Sequence, residues 1–407
     1  MRKSHPPQEL REAMGGVTAP CGFEAAGVRA GIKERGPDLA LVYSVAPAAA
    51  AGVFTTNRVQ AAPVVVTKDR VGRANVHGVV INSGNANACT GDRGYRDAVK
   101  MAALAAKALG VQERSMLVCS TGVIGRPLPM AKVAAGIKQA AAGLRPDGGA
   151  AAAVAILTTD TRPKTAVVQF EVDGRPVRVG GMAKGSGMIA PNLATMLAII
   201  TTDANLSPTL LQGCLAAAVE GSFNRITVDG DTSTNDCVLV LANRQAEVGE
   251  ITPRHGLSRF QAALEQVCAR LSQGIVADGE GASKTVKVCV RGAQTEKEAA
   301  LIARTVANSP LVKTAIGGGD PNWGRILAAA GRAGVRFRPE LVELHLGRVC
   351  VVRRGAVTRY NQQAAEAAVA GPAVAIAVDL HAGEKEATVL TCDLTAKYVR
   401  INSDYHT

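Results

Sequence analysis

The chain has 407 residues, roughly two or three domains' worth of core at about 100–200 residues each. Hydrophobic residues make up 47% and aromatics only 3%, which excludes wholesale disorder and argues against a stacking reader of single-stranded nucleic acid. The formal charge is +12, but Lys and Arg are scattered, so the balance reads as a solvated basic surface that also suits small carboxylate substrates.

In chain order, Tyr95 to Leu109 is Ala- and Lys-rich, follows Asp92 and stops at Gly110, which predicts a helix. Met116 to Cys119 predicts a strand and Pro129 to Leu144 another helix. The stretch Leu144 to Gly149, with Pro146-Asp147-Gly148-Gly149, is the most linker-like. Val167 to Val172 and Pro176 to Val179 flank Asp173-Gly174, a two-residue hairpin signal. Ser207-Pro208 predicts an N-cap and first helical residue, opening a helix to about Val219. Ile226 to Val228 and Val238 to Leu241 read as strands. Leu257 to Ser272, Glu296 to Ala307 and Gln362 to Val369 read as helices, and Val374 to Val378 and Ala387 to Leu390 as late strands. Strands apolar on both faces imply a layered α/β or α+β architecture. There is no internal repeat.

Nine cysteines occur without CxxC spacing, and most sit in apolar runs, so they read as buried, reduced thiols. The start, Met1 to Pro7, lacks the apolar stretch of a signal peptide, and no apolar run is long enough to span a bilayer. The expectation is a soluble, cytoplasmic protein with no membrane and no nucleic-acid partner.

The chemistry concentrates in residues 183 to 203. A glycine-rich loop, Lys184-Gly185-Ser186-Gly187-Met188, leads through Ala194-Thr195 into an apolar strand ending near Asp203. A threonine hydroxyl is a poor nucleophile without a base. None of the six histidines lies in a Gly- and Thr-rich motif, so a Ser-His-Asp arrangement has little support. A threonine that becomes N-terminal carries its own base, an α-amine of pKa about 8, and a cation such as Lys184 would lower that further. Read from spacing alone, Thr195 could equally be an ordinary β-branched strand opener. Ser120-Thr121-Gly122-Val123-Ile124-Gly125, after an apolar strand, can aim a backbone N–H and a hydroxyl at one spot, as an oxyanion hole does, or be a simple turn. Asp229 to Asp236 could hold a metal but lacks EF-hand spacing and reads as a hydrogen-bonded turn cluster. Gly317 to Gly324 lacks the Gly-Lys-Ser/Thr ending of a phosphate loop and reads as a surface turn. No metal site is expected.

Taken together, these segments resemble the ornithine acetyltransferases of arginine biosynthesis nearly end to end. The carriers are Gly16 to Pro20, Asn82 to Gly91, Ser120 to Gly125, Thr158-Thr159-Asp160-Thr161, Lys184 to Met188, Ala194-Thr195-Met196-Leu197, Asp229 to Asp236, Asp278 to Gly281, Gly317 to Gly324, Asn402 and Thr407. The resemblance implies an α+β fold, a layered α/β sandwich of the self-processing N-terminal-nucleophile type with a smaller C-terminal α/β part. It implies self-cleavage between Ala194 and Thr195 into an α chain of residues 1–194 and a β chain of 195–407, intertwined in one fold and paired into a heterotetramer of two α and two β chains. Thr195 is implied as the nucleophile that takes acetyl from N-acetylornithine and passes it to glutamate, by ping-pong kinetics. Thr121 and Gly122 match the family's oxyanion hole. Thr158, Lys184, Glu280, Asn402 and Thr407, with Thr195, match its substrate contacts, and the choice within the Thr158-Thr159 pair stays open. Lys184 suits a substrate carboxylate, and Glu280 an ammonium or a proton transfer. No cofactor is implied, although acetyl-CoA serves some members as a donor. Many members have His at position 190 and Met at 193, where this chain has Ala190 and Leu193. Two competing readings are an aminopeptidase-like hydrolase and a non-catalytic binding protein on the same fold.

Overall fold

Side chains alternate between two faces along a strand, and here the alternation divides the apolar residues among separate cores. The computed structural model describes residues 10–72, 75–190 and 196–404. In the strand Leu197–Thr202, Leu197 and Ile199 enter one cluster, and Ala198 and Ile200 another. In Met116–Val123, Leu117 and Cys119 enter the cluster shared with Leu197, while Met116 and Val118 face away. The shared cluster is therefore the filling between two stacked layers of sheet. The helices Gly91–Leu109 and Met130–Ala142 cover one outer face, and Pro208–Glu220 and Leu257–Val276 cover the other. The result is an α/β/β/α stack, the layered α+β architecture expected from the sequence.

Among the described residues, nine strands form this body. One layer runs Arg11–Glu12, Lys164–Val172, Arg175–Lys184, Leu197–Thr202, Cys237–Ala242, then the long strand Leu39–Phe54. That strand pairs with Cys237–Ala242 through its second half and with Phe23–Val28 and Val76–Asn85 through its first. Val76–Asn85 in turn pairs in parallel with Met116–Val123. Pro47 falls where the register breaks between Tyr43 and Ala48, so its missing N–H removes no ladder bond.

The smaller C-terminal part is a six-stranded sheet: Ala356–Val357, Val349–Arg353, Glu343–Leu346, Ala373–Asp379, Thr285–Ala293, Lys385–Cys392. Its own core packs under Glu296–Ala307, Trp323–Gly331 and Gln362–Ala370. Helix Glu296–Ala307 starts at a capping box of Thr295 and Glu298 and has the bounds predicted for it. The Asp173-Gly174 hairpin forms with both residues at positive φ, 52° and 75°. Ser207 caps its helix by accepting from the Leu210 N–H, with Pro208 next.

Three expectations need correction. Ile226 to Val228 is not a strand; Ile226 makes one isolated bridge to Leu390, because the short segment Ile226-Thr227-Val228 between polar turns offers no ladder. The linker-like stretch after Leu144 is not a boundary. Gly148 lies against the backbone of Ala25, where a Cβ would come 1.7 Å from its carbonyl oxygen. The helix Gly149–Ala155 that follows buries Ala152, Ala153 and Ala155 between the sheets. Of the nine unbridged cysteines, Cys21 and Cys89 are exposed and Cys289 and Cys350 half-buried; the other five are buried.

Candidate active site

The site lies where several strands end together. Lys184 is the last residue of its strand and pairs with Leu197, the first of the next, which pairs with Cys237, the first of its own. The facing layer reaches the same place: the Cys119 and Cys237 sulfurs touch at 3.4 Å. Thr121 and Gly122 follow Cys119 after one residue, Ser120. A single pocket here is lined by Thr121, Gly122, Thr158, Thr159, Lys184, Glu280 and Asn402, together with Gly187, Met188 and the segment Ser233 to Asn235. Six of the eight substrate and oxyanion-hole positions named from the sequence therefore meet on one pocket. Thr195 and Thr407, and the cleavage-site residue Ala194, lie outside the described residues.

Each wall has a local cause. Gly122 sits at φ +132°, and a Cβ there would come 2.3 Å from the Gly84 carbonyl carbon, so only glycine fits the close approach of the two loops. Asn235 ties these loops together, donating from Nδ2 to the carbonyls of Ala86 (2.7 Å) and Ser120 (2.8 Å). Ser120 donates to the Asn82 carboxamide oxygen at 2.6 Å. Glu280 is brought in by its N–H, which donates to the Ser186 carbonyl at 2.8 Å. Its carboxylate lies over Gly187, where a Cβ would fall 2.4 Å from Glu280 Cδ. Asn402, on the C-terminal helix Ala396–Asp404, donates to Glu280 Oε2 at 2.8 Å. Both Thr158 and Thr159 line the pocket. Thr159 shares a 2.6 Å hydrogen bond with the Ser186 hydroxyl, which leaves Thr158 the hydroxyl without a protein partner among the described residues.

Behind Lys184 stands a buried ion network. Lys184 is 2% exposed, and its ammonium is 3.9 Å from Asp160 Oδ2. Burial pushes the Lys184 pKa down, and Asp160 opposes that shift. Lys164 Nζ donates to Asp160 Oδ1 at 2.5 Å and to Asp278 Oδ2 at 2.6 Å. Burial alone would raise the Asp160 pKa, but Lys184, Lys164 and the Gly185 N–H hold it down to about 2. Two lysines thus balance two carboxylates away from water, the condition under which buried charges are tolerated.

The Asp229 to Asp236 cluster has a different use. Asp229 accepts from the Met188 and Ile189 N–H groups at 2.6 and 2.8 Å. Asp236 accepts from the Met196 N–H at 2.8 Å. The two aspartates therefore hold the chain on either side of residues 191–195. Both are committed to backbone N–H groups, as a turn cluster would be. Among the described residues Asp236 Oδ2 has no hydrogen-bond partner and no ion pair, and burial raises its pKa well above the ordinary value.

A profile of the ArgJ family matches residues 24–407. The chain belongs to the ArgJ family. Similar curated proteins include those of Symbiobacterium thermophilum, 53% identical over 97% of this chain and 99% of that protein, and of a Synechococcus strain, 49% identical over 98% and 99%. Both carry the name arginine biosynthesis bifunctional protein ArgJ. Among solved structures, the ArgJ protein of Bacillus halodurans is 42% identical, covering 51% of this chain and 98% of that one, with a TM-score of 0.50. The resemblance drawn from the sequence motifs is thereby established.

Within this ArgJ-family chain, position 190 offers no acid–base group. Ala190 is buried, and its neighbour Ile189 accepts from the Val228 N–H at 2.7 Å and the Thr227 hydroxyl at 2.9 Å. Sequence reasoning missed Lys164, Asp160, Asp278, Asn235 and the roles of Asp229 and Asp236. Asp160 and Asp278 lay inside the quoted motifs. Lys164 had only one signal, its place four residues after Asp160 at the head of an apolar strand.

Proposed function

We propose that this chain, an acyltransferase of arginine biosynthesis, moves acetyl from N-acetylornithine to glutamate through Thr195. The observation that carries this reading is the convergence of Thr121, Gly122, Thr158, Lys184, Glu280 and Asn402 on one pocket. Those residues come from five separate stretches of sequence, and the acetyl-transfer reading gives each a role.

The first reaction is processing. The Thr195 hydroxyl attacks the Ala194 carbonyl carbon, the C–N bond breaks, and the Thr195 nitrogen takes up the proton. Water then hydrolyses the resulting ester, leaving residues 1–194 with a new carboxylate and Thr195 with a free amine. In transfer, that amine accepts the hydroxyl proton as the oxygen attacks the acetyl carbonyl. The buried Lys184 cation disfavours a protonated amine and so keeps it basic. The oxyanion is met at Thr121 and Gly122. The amide C–N bond breaks, ornithine leaves with the proton, and the acetyl group stays on Thr195 as an ester. The glutamate amine attacks that ester and restores the hydroxyl. Lys184 suits a carboxylate of either substrate, and Glu280, steadied by Asn402, suits an ammonium.

No cofactor enters this scheme; acetyl-CoA is an alternative acetyl donor feeding the same ester. The assembly in this reading is two α and two β chains working in the cytoplasm. No helix among the described residues is long and apolar enough to cross a membrane. Intact-protein mass spectrometry of wild type beside Thr195→Ala tests the reading. Fragments meeting at Ala194/Thr195 in wild type only, with acetyl exchange between N-acetylornithine and glutamate, are expected. An uncut wild-type chain would overturn it.

A further inference from the structure

The six-stranded sheet has one face under helices and one face open. Leu344 and Leu346 point into the helix-covered core, so their neighbours Glu343 and His345 point to the open face. The register sets Cys350 directly across from His345 on one side and Asp379 across from Glu343 on the other. Glu343, His345 and Cys350 are all half-buried, and their ligating atoms lie within 4.8 Å of one another.

The spacings are unusual for a cluster held by its own hydrogen bonds. His345 Nε2 stands 3.6 Å from Glu343 Oε2, and His381 Nε2 stands 3.9 Å from Oε1. Neither is a hydrogen bond. Both are close to the edge of a coordination tetrahedron, about 3.3–3.8 Å for bonds of about 2.0–2.3 Å. His381 is itself held: its N–H donates to Asp379 Oδ1 at 3.1 Å, and its Nδ1 lies 3.6 Å from the same oxygen. At 3.6 Å this ring contact is not a hydrogen bond either, but it sets a carboxylate on the Nδ1 side, where it can support that nitrogen once the ring turns Nε2 to a metal. The Cys350 thiol donates to the Val352 carbonyl at 3.3 Å, which fixes its direction. Arg353 Nε is 3.4 Å from Glu343 Oε1, but its side chain is 60% exposed and free to swing into water.

We infer that Glu343, His345 and Cys350 form a site for a thiophilic divalent transition metal of the zinc class, and that the bound ion draws in His381, which stands beside Glu343 and Asp379, as the fourth ligand. The donor set of one thiolate, two imidazoles and one carboxylate is the mixture that suits such an ion. Binding releases the thiol proton to solvent and joins Cys350 to its neighbouring strands through the metal. The ion ties together Glu343–Leu346, Val349–Arg353 and the turn after Ala373–Asp379, three neighbours towards one edge of the sheet. None of these residues lines the acetyl-transfer pocket, so the site stands or falls apart from that reading.

The test is titration of the full-length, chelator-stripped, reduced protein with Co²⁺, followed by back-titration with Zn²⁺. Wild type is expected to develop tetrahedral visible bands and a thiolate-to-cobalt charge-transfer band at about one equivalent, both removed by Zn²⁺. Cys350→Ser should abolish the charge-transfer band. His345→Gln should weaken Co²⁺ binding by about tenfold or more, and Asp379→Asn by about 10–100-fold. Acetyl-transfer rates of the stripped variants report intact folding, and if Cys350→Ser does not fold, the His345 and Asp379 variants decide. A charge-transfer band unchanged in Cys350→Ser, or wild-type affinity no higher than that of His345→Gln, would overturn the site.

Discussion

Two aspartates beside one pocket, Asp160 and Asp236, both bury their carboxyl groups and are shifted in opposite directions. Asp160 touches Lys164 and stands near Lys184, and its carboxyl is held down to about 2. Asp236 accepts from the Met196 N–H, has a second oxygen without a partner among the described residues, and is pushed well upward by burial. Burial alone raises both; the contact cations decide which is held down. The pocket thus has a charged part around Lys184 and Glu280, suited to the ionic ends of amino acids, and a neutral part at Thr121, Gly122 and Asn235, suited to a carbonyl.

The strongest way to break this contrast is Lys164→Ala. It strands Asp160 and Asp278 away from their shared cation, and should cost about 3–5 kcal/mol in denaturant unfolding. A loss near zero would mean the network is solvated and the charged part is not sealed. On the neutral side, Thr121→Ala removes a hydroxyl without adding bulk, and should leave the fold standing but lower kcat by about 10²–10³-fold, with KM changing much less, if that hydroxyl meets the oxyanion. Equal losses in a binding measurement would move Thr121 from the chemistry to substrate fit.

Acid titration sharpens the comparison at smaller scale. The Asp160 pKa is depressed, so its contribution is present above the ordinary 3.8 and lost as pH falls through about 2. That is about 2 kcal/mol, and it should disappear in Asp160→Asn when unfolding is followed against pH. Asp236 has the reverse sign: its contribution is full below 3.8 and lost as pH rises through its raised folded value. Asp236→Asn keeps an oxygen for the Met196 N–H and should change stability by less than about 1 kcal/mol at acid pH. Its stability relative to wild type should then grow with pH. Parallel pH curves for the two Asn variants would erase the contrast.

Much of this could be read from the chain. The capped helix Glu296–Ala307 and the Asp173-Gly174 hairpin carry their signals within a few residues. The pocket residues lay in recognisable motifs because reactive loops need glycine and small hydroxyl residues at fixed places. The 16-residue strand Leu39–Phe54 went unread, being Ala-rich and interrupted by Pro47, with its two halves pairing different partners. Lys164 was illegible for a related reason: its second carboxylate is 114 residues away. The upward shift at Asp236 comes from its burial in the assembled fold, which no local pattern records.

The strand order carries a consequence for how the protein is made. Leu197–Thr202 and Cys237–Ala242 lie between Arg175–Lys184 on one side and Leu39–Phe54 on the other. A polypeptide ending at residue 194, synthesised alone, would present two raw sheet edges, and one starting at 195 would present the matching pair. Such edges recruit whatever strand comes first. A gene split at this point would therefore yield aggregates rather than complementing halves. The precursor has to close its ladders as one continuous chain before a cut before Thr195 can be harmless.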